Sequence, residues 1–429
     1  MRNIVDQARA FAESLRSLAG RTAWDWRRCP RCGSTDTCKH GRYVRQVWFF
    51  EGRRAIPVQR HRCTQCRRTY SEQSALLAVR SWYAREVHRM ALDQWQHTGT
   101  SLRRIAEWVR SLVGRQERWF FWRPLDGPST GKGCYLGAST VHRWLDKAGE
   151  QARGTVSGQL VGVPVSRQMG TDGLWARLRG GVRRVVLALV DSVTGVVWPP
   201  VVAEGEDSEA AWKGLFLRAK AAGLNLSALR GIASDGSGTL VSYLRGGLEW
   251  VNHQRCVWHL WRGLARELGL AVQRATAGLA AEPAGAAGKA VRRELVRLIH
   301  GVMDAVSYVE AEAALAQLQA HRWGADLARS LEANLDAALV HLQDYNRGLM
   351  RVAPEWLWRD FRLRLSRGRN HGSDQRLERA ALVWAMYRNF TPAQWRSERK
   401  RHYRRPGQSP LAKAGVPLGE LSYLDALSV

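Results

Sequence analysis

Two short cysteine pairs constrain the fold of this chain more tightly than any other feature of its sequence. Cys29 and Cys32 form the first CxxC pair, Cys63 and Cys66 form the second, and 30 residues separate them. Each pair can bind a metal ion from a tight turn, and four thiolates make the tetrahedral set that structural zinc prefers. The residues between the pairs alternate like a β-hairpin. The pattern predicts a zinc ribbon that holds a structural Zn²⁺.

Three nearby residues leave the ligand set open at this point. Cys38, His40 and His61 could each replace a cysteine as a ligand. Free or redox-active thiols are the alternative to a metal site. The first residues of the chain lack the apolar core of an export signal, and paired cysteines in such a chain favour metal binding over disulfides.

The charge of the chain indicates a polyanionic partner. The formal net charge is +28, and the basic residues are 58 Arg against 8 Lys. A field of that sign attracts nucleic acid, and the planar fork of Arg suits both phosphates and base edges. We therefore expect double-stranded DNA as the partner, although a solvated basic surface is the alternative. The predicted DNA contacts beside the cysteine pairs are Arg27, Arg28, Arg31, Arg60, Arg62, Arg67 and Arg68.

Two short helices predicted after the ribbon resemble the halves of a helix-turn-helix. Ser101 and Ser139 are the expected N-caps, and Arg103, Arg104 and Arg143 lie on the outer faces as further predicted DNA contacts. An ordinary helical linker is the alternative. The apolar residues that predict the buried faces are Leu102, Ile105, Ala106, Val109, Val141, Trp144 and Leu145.

From Gln168 onward the chain alternates strand and helix patterns in the order β-β-β-α-β-α-β-α. This is the layout of a ribonuclease-H-like α/β fold, in which the first and fourth strands lie side by side. Asp172 falls on the first predicted strand and Asp235 ends the fourth. We expect their carboxylates to converge.

Converging carboxylates point to metal-dependent phosphodiester chemistry. Two carboxylates and a third acid can hold two Mg²⁺ ions, which activate the attacking oxygen and stabilise the leaving oxygen. An isolated Asp-Gly pair usually indicates a turn, but Asp172 and Asp235 each fall on an expected strand, which favours catalysis. Asp191, which ends the second strand, is the nearest rival. We interpret it as the turn residue of DSVTG.

Three motifs in this half of the chain carry a family resemblance. DG at Asp172, SDG at Asp235 and CVWH from Cys256 to His259 look like the Mutator-like group of DDE transposases, which includes many bacterial insertion-sequence enzymes. That resemblance covers roughly residues 165–420. It implies a DNA transposase with an α-helical insertion before the catalytic Glu, and the Ala/Leu-rich residues after 261 are similar to such an insertion.

The resemblance also implies the third acid. The family pattern resembles T-N-N-x-x-E, and SDQRLERA offers Glu378 at the matching place, with Asp374 where the family often has Asn. Asp172, Asp235 and Glu378 are then the expected catalytic residues and Mg²⁺ ligands. A helical Glu paired with a neighbouring Arg is the alternative for Glu378.

The CxxH motif itself has several interpretations. A nucleophile with its base is redundant beside a metal site, and a zinc half-site would need two more ligands. We expect Cys256 and His259 to brace the helix after the fifth strand, with His259 near the acidic residues or the DNA end as the resemblance implies. Trp258 and Leu260 are expected in the core.

These patterns together divide the chain and predict its role. The leading hypothesis is an insertion-sequence transposase that binds element ends, cleaves and joins DNA strands, acts as a homodimer or larger assembly, and resides in the bacterial cytoplasm at the nucleoid. The alternatives are a non-catalytic DNA-binding regulator and a structure-specific nuclease. No apolar run reaches the roughly 18 residues that span a bilayer, so no membrane partner is expected. The predicted segments are an N-terminal helix (1–25), the zinc ribbon (26–75), a helix-turn-helix-like segment (76–155), the first part of the core (160–265), the helical insertion (266–355), and the end of the core with a basic tail (356–429).

Overall fold

The computed structural model of the chain is a mixed α/β architecture with two β-sheets. The helix predicted over 1–25 and the loop between Asp126 and Gly133 lie outside the residues that the structure describes. Those described residues are 27–72, 76–78, 81–113, 136–156, 160, 162–163, 165–343, 346, 349–351, 354–367, 371–392 and 407–427.

The regular elements, in chain order, alternate strand-rich and helix-rich stretches. The strands are β1 (Thr37–Trp48), β2 (Arg53–Cys63), β3 (Thr69–Ser71), β4 (Gln168–Arg177), β5 (Arg183–Asp191), β6 (Val201–Ala203), β7 (Gly231–Ser234) and β8 (Asn252–Arg255). The helices are α1 (Arg85–Thr98), α2 (Leu102–Leu112), α3 (Ala138–Val156), α4 (Glu209–Ala221), α5 (Gly238–Gly247), α6 (Val257–Gly263), α7 (Ala265–Thr276), α8 (Ala281–Met303), α9 (Tyr308–Ala320), α10 (Ala325–Glu332), α11 (Leu335–Ala338), α12 (Glu355–Arg367), α13 (Asp374–Phe390), α14 (Pro410–Lys413) and α15 (Tyr423–Ala426).

The chain divides into two units. Unit 1 consists of Met1–Pro164, Ala176–Arg183 and Arg359–Val429, and unit 2 consists of Val165–Trp175 and Arg184–Trp358. No helix among the described residues has both the length and the apolar character needed to cross a membrane.

Unit 1 contains the small sheet β1-β2-β3. Strands β1 and β2 are antiparallel, with Trp48 opposite Arg53 at the hairpin end and Thr37 opposite Cys63 at the cysteine end. The register shifts by one residue at Gly41, whose φ of +83° is a conformation that glycine adopts without strain. The predicted hairpin between the cysteine pairs is therefore present, and it brings the second pair back beside the first.

Helices α1, α2 and α3 of unit 1 pack together and against α13. Ser101 caps α2 by accepting a hydrogen bond from the N–H of Arg104 (3.4 Å), as predicted. The prediction for Ser139 is wrong, because α3 begins at Ala138 and Ser139 lies inside its first turn. The predicted buried faces are confirmed at Leu102, Ile105, Ala106, Val109, Val141, Trp144 and Leu145.

Unit 2 is built on a five-stranded mixed sheet with the order β6-β5-β4-β7-β8. Strand β5 contributes an unbroken buried run from Val185 to Val190, which is typical of a strand covered on both faces. Strand β6 pairs antiparallel with β5, while β7 lies parallel to both β4 and β8. The predicted strand order is confirmed, except that the third strand is reduced to Val201–Ala203 directly after Pro199 and Pro200, which have no N–H to donate.

The helical part of unit 2 begins at α6 and continues to α11, as the Ala/Leu-rich pattern predicted. Its core is a cluster of buried aliphatic side chains from α6, α7, α8, α9 and α10. Leu268, Leu295 and Leu327 are among them, each less than 3% exposed. This helical region follows β8 directly in the chain.

Candidate functional site

The four cysteines of the two CxxC pairs converge in unit 1. Each can offer one sulfur, and all four sulfurs lie within 4.8 Å of one another. Cys29 Sγ lies 3.5 Å from Cys66 Sγ, and Cys32 Sγ lies 3.6 Å from Cys63 Sγ. Four sulfurs at about 2.3 Å from a tetrahedral zinc are about 3.8 Å apart, so these separations fit a Zn²⁺ ion.

Backbone hydrogen bonds hold both turns in shape. In the first turn, the N–H of Gly33 donates to the carbonyl of Cys29 (2.9 Å). In the second, the N–H of Cys63 donates to the carbonyl of Arg68 (2.9 Å), and Arg67 takes a left-handed φ of +56°. The N–H of Cys66 points at Cys63 Sγ (3.5 Å), which favours a thiolate there.

The turns lower the pKa of two of these thiols, whereas the pKa of Cys32 is raised to about 11, because the lowering by the backbone of Ser34 is outweighed by burial and by hydrogen bonds with the other three thiols. The backbone N–H of Cys32 is the main cause that lowers the pKa of Cys29 to about 6. The backbone N–H of Cys66 likewise lowers the pKa of Cys63. Zinc binds thiolates rather than thiols, so turns that stabilise sulfur anions suit the ion. The four cysteines can therefore bind a structural zinc.

The other candidate zinc ligands do not join this cluster. The Cys38 thiol is exposed and donates to the carbonyl of Arg62 (3.6 Å). His61 is buried, but its ring stacks on Tyr70 with 5.6 Å between centroids. His40 is exposed on β1. The ligand set that the sequence left open is thus Cys29, Cys32, Cys63 and Cys66.

The arginines predicted as DNA contacts lie at the protein surface. Among residues 27–72, twelve residues are basic and three are acidic, which leaves a strong positive excess around the cysteine cluster. On the helices, Arg103 bonds to Glu107 (3.1 Å) and Arg143 to Thr140 (3.2 Å). All ten predicted positions are exposed: Arg27, Arg28, Arg31, Arg60, Arg62, Arg67, Arg68, Arg103, Arg104 and Arg143.

The two predicted catalytic aspartates lie in unit 2, Asp172 on β4 and Asp235 directly after β7, and these two strands are parallel neighbours. Gly170 of β4 is opposite Ala233 of β7, and Asp172 and Asp235 each follow two residues later. Side chains opposite each other on paired strands point to the same face, so the two aspartates share one edge of the sheet. Asp172 is buried (7% exposed), whereas Asp235 is partly exposed and accepts the N–H of Ser237 (3.1 Å).

A third acid in unit 2, Glu206, was missed from the sequence. Burial is the main cause that raises the pKa of Glu206 to about 7, followed by the charges of Asp235 and Asp207. Trp212 anchors this segment by donating from its indole N–H to the carbonyl of Glu206 (3.0 Å). The acidic run EGED before a helix was the available signal, but a run of that kind equally describes a charged helix N-terminus.

The two Asp-Gly glycines are required for different reasons. Gly236 has a φ of +89°, which allows the sharp turn after Asp235. Gly173 has an ordinary backbone, but a Cβ there would overlap the Glu206 carboxylate. Gly236 is therefore required by the backbone conformation, whereas Gly173 leaves room for the Glu206 side chain beside Asp172.

Asp191 is the turn residue that the sequence indicated. It is fully buried, and its carboxylate accepts the N–H groups of Ser166 (2.6 Å), Val193 (3.0 Å) and Thr194 (2.6 Å). The Thr194 hydroxyl donates a further bond to Asp191 Oδ1 (2.8 Å). By accepting these hydrogen bonds, the Asp191 carboxylate closes the DSVTG turn.

The CxxH motif lies at the start of α6. Cys256 is fully buried, and its N–H donates to the carbonyl of Ser234 (2.7 Å), which ties α6 to the end of β7 next to Asp235. His259 is partly buried and contacts the ring of Trp258 edge-on. Leu260 is buried as expected. The expectation that Trp258 is a core residue is wrong: it is 37% exposed and lies under the guanidinium of Arg262.

Glu378 lies in unit 1, on α13, and forms an ion pair. Ser373 caps that helix, and Arg153 of α3 donates to Glu378 Oε2 (3.2 Å). Only 14% of the Glu378 side chain is exposed. Asp146 pairs with Arg376 (3.4 Å) along the same two helices. The partner of Glu378 is thus an Arg on another helix rather than a sequence neighbour.

Comparisons with models of known protein families and with curated proteins found no match to this chain.

Proposed function

We propose that the chain is a DNA transposase of an insertion sequence, which binds element ends and cleaves and joins DNA strands at unit 2. The observation that carries the proposal is the position of Asp172 on β4 and of Asp235 directly after β7, the parallel neighbour of β4. Hard anionic oxygens at one edge of a sheet are the donors that Mg²⁺ requires.

The sheet order supports the proposal. The sheet begins with three strands in the order β6-β5-β4 and continues with β7 and β8 through helical connections. This order agrees with a ribonuclease-H-like core. The helices that follow β8 agree with the helical insertion that the family resemblance implies. Both assignments are part of the proposal.

Each residue of the proposed site would have a separate role. Asp172 and Asp235 would help to hold Mg²⁺, which when bound would activate the attacking oxygen and stabilise charge at the phosphodiester. Cys256 fixes the backbone beside Asp235 through its bond to Ser234. The predicted third ligand is Glu378, on the ground of its place in the motif.

The surface charge supports DNA as the substrate. A net charge of +28 and exposed arginines on the ribbon and on α2 and α3 favour binding to the phosphate backbone. Transposases that act on paired ends work as dimers or larger assemblies, so we propose the same for this chain.

A second candidate is a DNA-binding regulator without catalysis. The observation that favours it is the ion pair between Glu378 and Arg153, because a carboxylate used to join two helices is not available to a metal in that arrangement. Under this candidate the ribbon and helices bind DNA, and Asp172 and Asp235 are structural.

Substitution of either aspartate separates the two candidates. Asp172→Asn and Asp235→Asn should reduce Mg²⁺-dependent nicking of a plasmid that carries the DNA flanking the gene by about a thousandfold, while DNA binding is kept. Asp336→Asn, at an exposed position of α11, is the matched control and should nick like the wild type.

The products and the wild-type rate decide the outcome. Absence of nicking by the wild-type protein on its own element ends would remove the enzyme proposal and leave the regulator. Products that are cut but never joined would identify a nuclease instead.

A further inference from the structure

The β1–β2 hairpin has one uncovered face, which we call the ribbon face. Residues opposite each other on antiparallel strands lie on the same side, and the side alternates along each strand. The register therefore collects one set of side chains on this face, and most of them are exposed. The ribbon face consists of Lys39, Arg42, Val44, Gln46, Arg53, Ala55, Pro57 and Gln59; the same side of the hairpin ends at Trp48, which is partly buried, and at His61, which is buried.

The opposite face of the hairpin differs, because part of it is packed against the rest of unit 1. Val47 and Val58 on that face are buried, at 0% and 5% exposure. Arg45 on the same face donates to the carbonyls of Ala78 (2.9 Å) and Ser81. Val44, by contrast, is 61% exposed on the ribbon face. The ribbon face is thus uncovered, whereas the opposite face of the hairpin is partly packed.

Arg42 is held in a fixed place on the ribbon face. Its Nε–H donates to Gln59 Oε1 (2.9 Å) on the neighbouring strand. The Gln59 amide in turn donates to the carbonyl of Gly41 (2.8 Å) at the register shift. An arginine oriented in advance loses less entropy when it binds, and the fork of its guanidinium matches the O6 and N7 acceptors of guanine.

The dimensions and charge of the ribbon face fit one class of partner. The major groove of B-DNA admits a two-stranded β-ribbon. Lys39 and Arg42 lie on the face itself, and the surrounding residues 27–72 contain twelve basic against three acidic residues. The apolar Val44 and Pro57 lie between these charges, where they can contact thymine methyl groups.

We propose that the ribbon face enters the major groove of double-stranded DNA, with Arg42 as its main polar contact and Val44 at its centre. This inference rests on the proposed function for the identity of the substrate. It assigns DNA recognition to a surface distinct from the arginines around the cysteine turns.

Two substitutions on the ribbon face test the proposal in the zinc-loaded full chain. Arg42→Ala removes the fork, and Val44→Glu places a negative charge at the centre of the face. Each should weaken binding to a short mixed-sequence DNA duplex that contains guanine about tenfold. The matched controls are Arg293→Ala and Val306→Glu, at exposed positions of unit 2, which should stay within about twofold of the wild type.

Each outcome has a defined meaning. Unchanged zinc content with weakened binding supports the proposal. Ribbon-face variants that bind duplex DNA within about twofold of the wild type overturn it, even when nicking persists and the proposed function stands. A Val44→Glu variant that changes the oligomeric state but not DNA binding also overturns it, because the face then joins two copies. If binding depends on the ribbon face but the wild type never nicks DNA, the proposed enzyme fails while this inference stands.

Discussion

The cysteine cluster and the acidic residues of unit 2 are both candidate metal sites, yet their donor atoms are arranged differently. The four sulfurs lie within 4.8 Å of one another, and no group of three carboxylates among the described residues is gathered so closely. Thiols can remain neutral by keeping their protons, and each CxxC pair is held by one turn of four residues. Burial is the main cause that raises the pKa of Glu206 to about 7, and the charges of Asp235 and Asp207 add to it, so carboxylates are costly to gather in a buried site. The cysteine cluster is therefore specified by two short turns, whereas the acidic residues of unit 2 come from separate strands and loops that only the folded sheet brings together.

The largest expected effect comes from opening the cysteine cluster. Cys63→Ser removes one of four ligands of a site whose metal binding is worth on the order of 10 kcal/mol in small zinc domains. We expect loss of bound zinc and unfolding of the β1–β2–β3 sheet, measured by metal analysis and circular dichroism.

Cys38→Ser is the matched control, because Cys38 is an exposed cysteine on the same hairpin outside the cluster. It should keep its zinc and its stability. Full zinc content in Cys63→Ser would show that the cluster is not the metal site and would remove the contrast with the carboxylates.

A smaller effect is expected at His88, a buried base. Burial disfavours the charged form of any group, so it lowers the pKa of a histidine but raises the pKa of a carboxyl. Burial is the main cause that lowers the pKa of His88 to about 3, followed by the charges of Lys147, Arg85 and Arg45. Its ring stacks on Trp144 at 3.9 Å. The unfolded state binds a proton below pH about 6.5, whereas the folded state does not until about 3.

Stability should therefore be complete above pH 6.5 and decline as the pH falls toward 3. The contribution of His88 to this loss is about 3 kcal/mol by pH 4, measured by denaturant unfolding across this range. His88→Gln should unfold more easily at pH 7, because it loses the hydrogen bond with Ser81 (2.7 Å), but with a shallower slope against pH. Equal slopes for the two proteins would contradict the assignment.

The smallest effect is expected at Glu206, and it tests the cost of burying this carboxylate near Asp235 and Asp207. The folded-state pKa of about 7 means that ionisation of Glu206 destabilises the fold as the pH rises from 4.5 to 7. Glu206→Gln should raise the free energy of unfolding at pH 8 by less than about 1 kcal/mol, since the site is partly open to solvent. Glu204→Gln, whose side chain is 89% exposed, should change nothing. A loss of stability in Glu206→Gln would mean that its charge is compensated in the fold.

Local patterns of the sequence predicted much of the fold. The CxxC spacing predicted the cysteine cluster because each pair needs only its own turn. Helical spacing predicted the buried face of α2. Alternation predicted the strands that hold Asp172 and Asp235.

Contacts between distant parts of the chain were not predictable in the same way. The pairing of Glu378 with Arg153 joins residues 225 positions apart, and no local pattern specifies it. Glu206 was missed because its closeness to Gly173 and Asp235 arises only when the sheet forms. The expected burial of Trp258 failed because an indole beside an arginine can remain at the surface through a cation–π contact.

The outer position of β1 in its sheet has a consequence for solubility. Among the described residues, the outer edge of this 12-residue strand is bridged only at its end, where Trp48 pairs with Tyr83, and exposed strand edges are templates for aggregation. Lys39 and Arg42 place positive charge on that strand, so they act as gatekeepers that keep other chains from extending the sheet. Conditions that screen these charges, such as concentrated salt without a polyanion, are therefore the ones in which the protein should precipitate.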